Sequence, residues 1–153
     1  MLEINQLIGF GVGDSVGHKF WRVRMTSSCL GANFYVPELE FRDTAGGVDL
    51  CVGGTPLASS SLSPSETALN GFDNNLGTSW VSATKTANVE WLGYSFLAPV
   101  DVKQLVWEND SDIFSPTTFN LEYSDNGTDW FLKQSFSGMD WNASSTTVFD
   151  VTT

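Results

Sequence analysis

The chain has 153 residues, of which 41% are hydrophobic and only 16% charged. That is the size of one ordinary domain, long enough to bury a core without disulfide or metal staples. Eighteen acidic residues against seven basic ones leave a formal charge of -11, so phosphate backbones and anionic membranes repel it on average and nucleic acid is excluded as an expected partner. No apolar run approaches the roughly 20 residues of a membrane-spanning helix, so no membrane insertion is expected.

In chain order, Met1 to Ser15 reads as a first strand and a Gly-rich turn. Glu3 and the lack of a basic leader argue against a secretory signal. Lys19 to Met25 alternates, with Phe20 and the arginines on one side and Trp21, Val23 and Met25 turned to the core. Further strands are expected over Val36 to Arg42, Val89 to Phe96, Val102 to Glu108, Thr118 to Ser124, Trp130 to Ser135 and Thr146 to Val151, with a turn at Asp125-Asn126-Gly127. Ser63-Pro64-Ser65-Glu66-Thr67-Ala68-Leu69 carries the marks of one short helical turn. Glycine pairs at Gly46-Gly47 and Gly53-Gly54 and the Ser-rich Ala58 to Ser65 read as a loop within one domain, because the segment before them is too short to bury its own core. Short strands at this spacing make a sandwich or barrel.

Cys29 and Cys51 lack metal-ligand spacing and His18 is the sole histidine, so two free thiols are expected rather than a zinc site or a disulfide. Asp110, Asp112, Asp125, Asp129 and Asp140 are scattered over loops and read as a solvated face, not as the paired carboxylates of a glycosidase. His18 has no nucleophile motif to serve. The sequence therefore offers no catalytic set, and an enzyme is not expected. The sequons at Asn126 and Asn142 matter only in a secreted eukaryotic protein.

The most specific stretch is Asn70-Gly71-Phe72-Asp73-Asn74-Asn75-Leu76-Gly77-Thr78-Ser79-Trp80, followed by Trp91-Leu92-Gly93-Tyr94-Ser95-Phe96, Pro99-Val100 and Phe119-Asn120-Leu121-Glu122-Tyr123-Ser124-Asp125-Asn126-Gly127-Thr128-Asp129-Trp130. In order and spacing these resemble the motifs of the discoidin, or coagulation-factor type C, domains of the galactose-binding-like class. The resemblance spans about Ala58 to Val151 and implies an all-β, discoidin-like jelly-roll β-sandwich. Phe20-Trp21-Arg22-Val23-Arg24-Met25 and Pro37-Glu38-Leu39-Glu40-Phe41 resemble the segments that normally close such domains, yet they stand at the start. A circular permutation is therefore expected, with residues 20–42 supplying the closing strands of a single domain over 1–153.

The resemblance also implies a structural calcium ion at Asp73, Asn75 and Thr78, joined through the permutation by Glu38. A turn of Asp, Asn and Thr offers the hard oxygens that calcium requires. The same residues also suit an Asx-type turn held by its own hydrogen bonds with no metal, and Asn74 stands where the family usually has Gly. For a sugar ligand, Phe114 and Trp141 are the candidate platforms, being aromatics flanked by polar loop residues; each can equally plug the open end of the sandwich. Trp107 and Tyr35 are weaker candidates, while Trp21, Trp80, Trp91 and Trp130 are expected in the core.

The implied function is a non-enzymatic carbohydrate-binding or cell-surface adhesion module. The Gly-rich opening and the permuted order resemble modules that tailed bacteriophages and prophages carry in virion fibres, spikes or decoration proteins. Expected partners are a host glycan and other virion or surface-assembly proteins, with many copies per particle supplying avidity. The expected location is a virion or extracellular surface assembly. The rival reading is a structural virion protein that docks to other subunits without binding sugar.

Overall fold

The protein is described from a computed structural model covering residues 17–141 and 145–152. The first sixteen residues, where the opening strand and turn were expected, and the sequon at Asn142 lie outside it.

The strands among the described residues are β1 (His18–Met25), β2 (Tyr35–Val36), β3 (Glu38–Arg42), β4 (Thr55–Ala58), β5 (Trp80–Val81), β6 (Trp91–Val100), β7 (Gln104–Asn109), β8 (Thr118–Ser124), β9 (Phe131–Ser137) and β10 (Ser145–Asp150). Two short 3-10 turns, Ala68–Gly71 and Asp112–Phe114, are the helical elements among these residues. The helical turn expected within Ser63 to Leu69 is met at the end of that stretch: Ser63 Oγ donates to Glu66 Oε2 at 2.7 Å, and the 3-10 turn begins at Ala68. The strand expected over Val36 to Arg42 is broken at Pro37, which has no N–H to give a ladder. β4 and β5 escaped sequence reading because they are too short to show a period.

The strands form antiparallel sheets in the orders β4-β6-β1-β8-β9, β10-β7-β3 and β2-β5. This is the sandwich that the motifs imply. In β1, Trp21, Val23 and Met25 are fully buried as the alternation requires. One apolar cluster joins these residues to Leu39 and Phe41 of β3, Cys51, Phe72, Trp80, Leu105 and Trp107 of β7, Phe119 and Leu121 of β8, and Phe149 of β10. Both cysteines are unpaired and buried, and burial pushes both thiols above their ordinary range.

The outward face of the larger sheet corrects one expectation. Trp91 and Trp130 are not core residues but half-buried on that face, where Arg22 lies 5.1 Å from the Trp91 ring and 4.0 Å from the Trp130 ring. The reason is the period-two pleat: Leu92, Tyr94 and Phe96 point inward, which sends Trp91 outward. Gly93 is opposite Arg22, and a Cβ there would stand 2.6 Å from the Trp21 carbonyl and 2.8 Å from the Arg22 Cβ.

Candidate functional site

The Asp73–Thr78 turn is held at both ends by the core. Phe72 is buried, with its ring 6.1 Å from Phe41 and 5.2 Å from Tyr94, and Trp80 beyond the other end is fully buried with its indole N–H on the Ser60 carbonyl at 2.8 Å. Between these anchors the turn lies against β3. The Asn74 N–H donates to Glu38 Oε2 at 2.9 Å, which brings together the four residues the sequence placed at a metal site.

Inside the turn, Asp73 Oδ1 accepts from the Asn75 N–H at 3.0 Å and Asn75 Oδ1 from the Gly77 N–H at 3.0 Å. The Thr78 hydroxyl bonds both Asp73 Oδ2 and the Asn75 carbonyl at 2.8 Å. These are the Asx-type bonds of the metal-free alternative. Asn74 has φ 57°, a left-handed conformation that Asn tolerates where the family usually has Gly.

One atom in this arrangement lacks a partner. Glu38 is 3% exposed, and its Oε1 is buried with no hydrogen bond. Burial raises its carboxyl to about 7, opposed by the Asn74 N–H and assisted by Asp49, Asp73 and Glu40. Leaving a buried carboxylate oxygen unpartnered is costly, and a hard cation beside it would remove that cost. The donor set fits calcium: carboxylates at Glu38 and Asp73, an amide at Asn75, and hydroxyl and carbonyl oxygens at Thr78. Among the described residues no three His, Cys, Asp or Glu side chains converge closely enough to hold a metal unaided, so the amide, hydroxyl and carbonyl oxygens of the turn are essential to any such site.

A cavity of about 170 Å³ adjoins the turn, lined by Pro37, Leu76, Glu108, Asn109 and Asp110. Pro37 precedes Glu38, Leu76 is the exposed tip of the turn, and Glu108 faces Glu38 across the β3–β7 ladder. Sequence reasoning missed this cavity because its walls come from three distant segments.

The two aromatic platforms do not adjoin each other in contacts. Trp141 is 6% exposed, with its indole N–H on the Pro116 carbonyl at 2.6 Å and its ring 5.2 Å from Trp107 and 5.8 Å from Phe149. It occupies the plug position, and no open ring face is left for a sugar. Trp107 is fully buried. Phe114 is half-buried, 5.9 Å from Tyr35 and seated on Gly31, where any Cβ would strike its ring.

The model of the F5/8 type C domain matches residues 57–153. The chain belongs to that family. No curated protein and no solved structure matches it. F5/8 type C domains are in general non-enzymatic modules that bind carbohydrates or surfaces. β1 and β3, which lie before the matched segment, complete the two larger sheets: β1 sits between β6 and β8, and β3 lies beside β7.

Proposed function

We propose that this F5/8 type C domain is a circularly permuted carbohydrate-binding or cell-surface adhesion module of a phage virion fibre, spike or decoration protein, recognising host glycans. Membership of a family of binding modules carries the first half of this reading. The permutation would account for the two strands that precede the matched segment and sit within its sheets. A calcium ion at Asp73, Asn75, Thr78 and Glu38 fixes the turn, and the adjoining cavity holds the sugar. The proposed setting is a multi-copy virion or extracellular surface assembly, in which weak sites gain avidity from number.

The cavity has room for about one sugar ring, with Leu76 and Pro37 as apolar walls and Glu108 and Asp110 as hydroxyl acceptors. Glycan-array binding in the presence of calcium, followed by Leu76→Ala and Phe114→Ala, tests this placement. Loss of binding in Leu76→Ala with retention in Phe114→Ala places the sugar beside the turn. The reverse result moves it to the Phe114 loop, and no binding to any glycan removes the lectin reading.

A second reading has an observation of its own. Phe131 and Leu132, neighbours on the edge strand β9, are 55% and 57% exposed, and exposed apolar edge strands are docking surfaces. A structural virion protein bound through β9 would incorporate stoichiometrically into particles without sugar affinity, and Leu132→Lys would abolish its incorporation.

A further inference from the structure

Glu108 and Asp110 put two carboxylates on the cavity of about 170 Å³ beside the turn, with Pro37, Leu76 and Asn109 as its other walls. Asn109 is buried, and its side-chain oxygen already accepts from the Ser115 hydroxyl. Glu108 is held in place from β10: Thr146 Oγ1 donates to its Oε1 at 2.6 Å, and among the described residues its Oε2 has no hydrogen bond. Across the other ladder of β7, Glu108 stands directly opposite Glu38. Like charges so placed weaken a sheet, and the fold itself gains nothing from the pair.

No cation of the chain answers these carboxylates at the cavity wall. The seven lysines and arginines all fall within the described residues, and none lines the cavity. Arg22 and Arg24 are committed to Glu122, Arg42 to Glu40, and Lys103 lies beside Asp101. With a formal charge of -11, the rest of the molecule adds to the negative potential there. A calcium ion in the turn would offset Glu38 and Asp73, yet it would leave Glu108 and Asp110 to the cavity. Carboxylates only accept hydrogen bonds, so a ligand here must donate, and an anionic one is repelled.

We propose that the cavity takes an amine-bearing sugar, whose ammonium meets Glu108 and Asp110 while its apolar face lies on Leu76 and Pro37. This rests on the placement of the sugar beside the turn and names its chemical class. An ammonium brings three donors and the opposite charge, and its bonds to carboxylates are stronger than those of a neutral hydroxyl. It also offsets the repulsion between the facing glutamates. Sugars that carry a carboxylate or a sulfate are rejected by the same charges.

The test is calorimetric titration of the full chain, with calcium present, at about pH 6, where a primary amine is protonated. One pyranose is offered as glucose, glucosamine, N-acetylglucosamine and glucuronate. Glucosamine is expected to bind about fivefold more tightly than glucose or N-acetylglucosamine, the upper range for an ion pair at an open site, and glucuronate most weakly. Glu108→Gln keeps the oxygen that accepts from Thr146 and removes the charge, so it should erase the preference for glucosamine while glucose binds as before. Asp43→Asn, exposed beyond the far end of β3 from Glu38, should match the wild type. Equal affinities for glucose and glucosamine, or tight binding of glucuronate, overturn the assignment and leave the lectin reading standing. A preference that survives both Glu108→Gln and Asp110→Asn puts the amine elsewhere and also overturns it. Should Glu108→Gln not fold, Asp110→Asn and the wild-type sugar series decide. Should none of these sugars bind, a glycan array decides: binding to glycans with a free amine upholds the assignment, binding confined to amine-free glycans overturns it alone, and no binding at all overturns the lectin reading with it.

Discussion

Two buried glutamates show how differently this sandwich treats the same side chain. Glu122, on the outward face of the larger sheet, is 5% exposed and fully engaged: Arg22 Nε and Nη2 reach its Oε2 at 2.8 and 2.7 Å, and Arg24 Nε and Nη2 reach its Oε1 at 2.8 and 2.6 Å. Glu38, beside the Asp73–Thr78 turn, is 3% exposed and has one backbone N–H and a bare oxygen. Burial pushes both carboxyls up. At Glu122 the hydrogen bonds and charges of Arg24 and Arg22 outweigh it and leave the group below its ordinary value; at Glu38 nothing positive does, and the group stands at about 7. The first cluster meets both oxygens of its carboxylate with arginine N–H groups. The second leaves one carboxylate oxygen bare.

The largest expected effect comes from breaking the balanced side. Glu122→Gln leaves two arginines without their shared anion, and removing one partner of a buried ion pair costs about 3 to 5 kcal/mol. Urea unfolding of the variant should show a loss in that range. A loss under about 1 kcal/mol would mean that solvent already screens the arginines, and the two glutamates would then be less different than their geometry implies. On the incomplete side, calcium at a hundred times its dissociation constant should stabilise the wild type by about 2.7 kcal/mol. Glu38→Gln should abolish that gain, and equal melting temperatures with and without chelator in the wild type would remove the cation from the site.

Acid titration separates the two groups by sign. The folded value of Glu122 lies below its unfolded one, so its contribution is complete above the ordinary carboxylate range and is lost as the pH falls through the depressed folded value. Arg22 is also lowered, by burial ahead of the raising effect of Glu122, but a guanidinium remains charged throughout this window, so Glu122 decides the pH dependence. Glu38 runs the other way. Between 4.5 and about 7 the calcium-free folded state holds a proton that the unfolded chain has released, so Glu38 makes stability fall as the pH rises through that window. Glu38→Gln should remove this decline, and Glu122→Gln should remove the loss at acid pH. Chevron or equilibrium unfolding across pH 3 to 8 reads both slopes.

How much of this was legible in the sequence follows the range of the interactions concerned. The β1 alternation placed Trp21, Val23 and Met25 in the core because a pleat is a two-residue rule, and the turn from Asp73 to Thr78 announced itself because its bonds are local. Glu38 was reached only through resemblance, being 36 residues from the Asn74 N–H it accepts. Trp141 misled for the same reason, since its polar neighbours describe a loop while its burial is set by Trp107 and Phe149. Trp91 and Trp130 were readable in principle. Applied to β6, the alternation that was used for β1 places Trp91 outside.

That last pair gives the smallest effect and the finest test of the balanced cluster. Trp130 is half-buried, and Arg22 lies over its ring at 4.0 Å, so Trp130→Ala removes a cation–π contact at a partly exposed site, worth about 1 kcal/mol. A double-mutant cycle with Arg22→Lys isolates the pair: the ammonium keeps the charge toward Glu122 but loses the planar stacking surface. A coupling of about 0.5 to 1 kcal/mol assigns Trp130 to the arginine face. A loss near 3 kcal/mol from Trp130→Ala with no coupling to Arg22 would instead make the ring a packing residue of the sandwich, and the arrangement around Glu122 would then stand on its ion pairs alone.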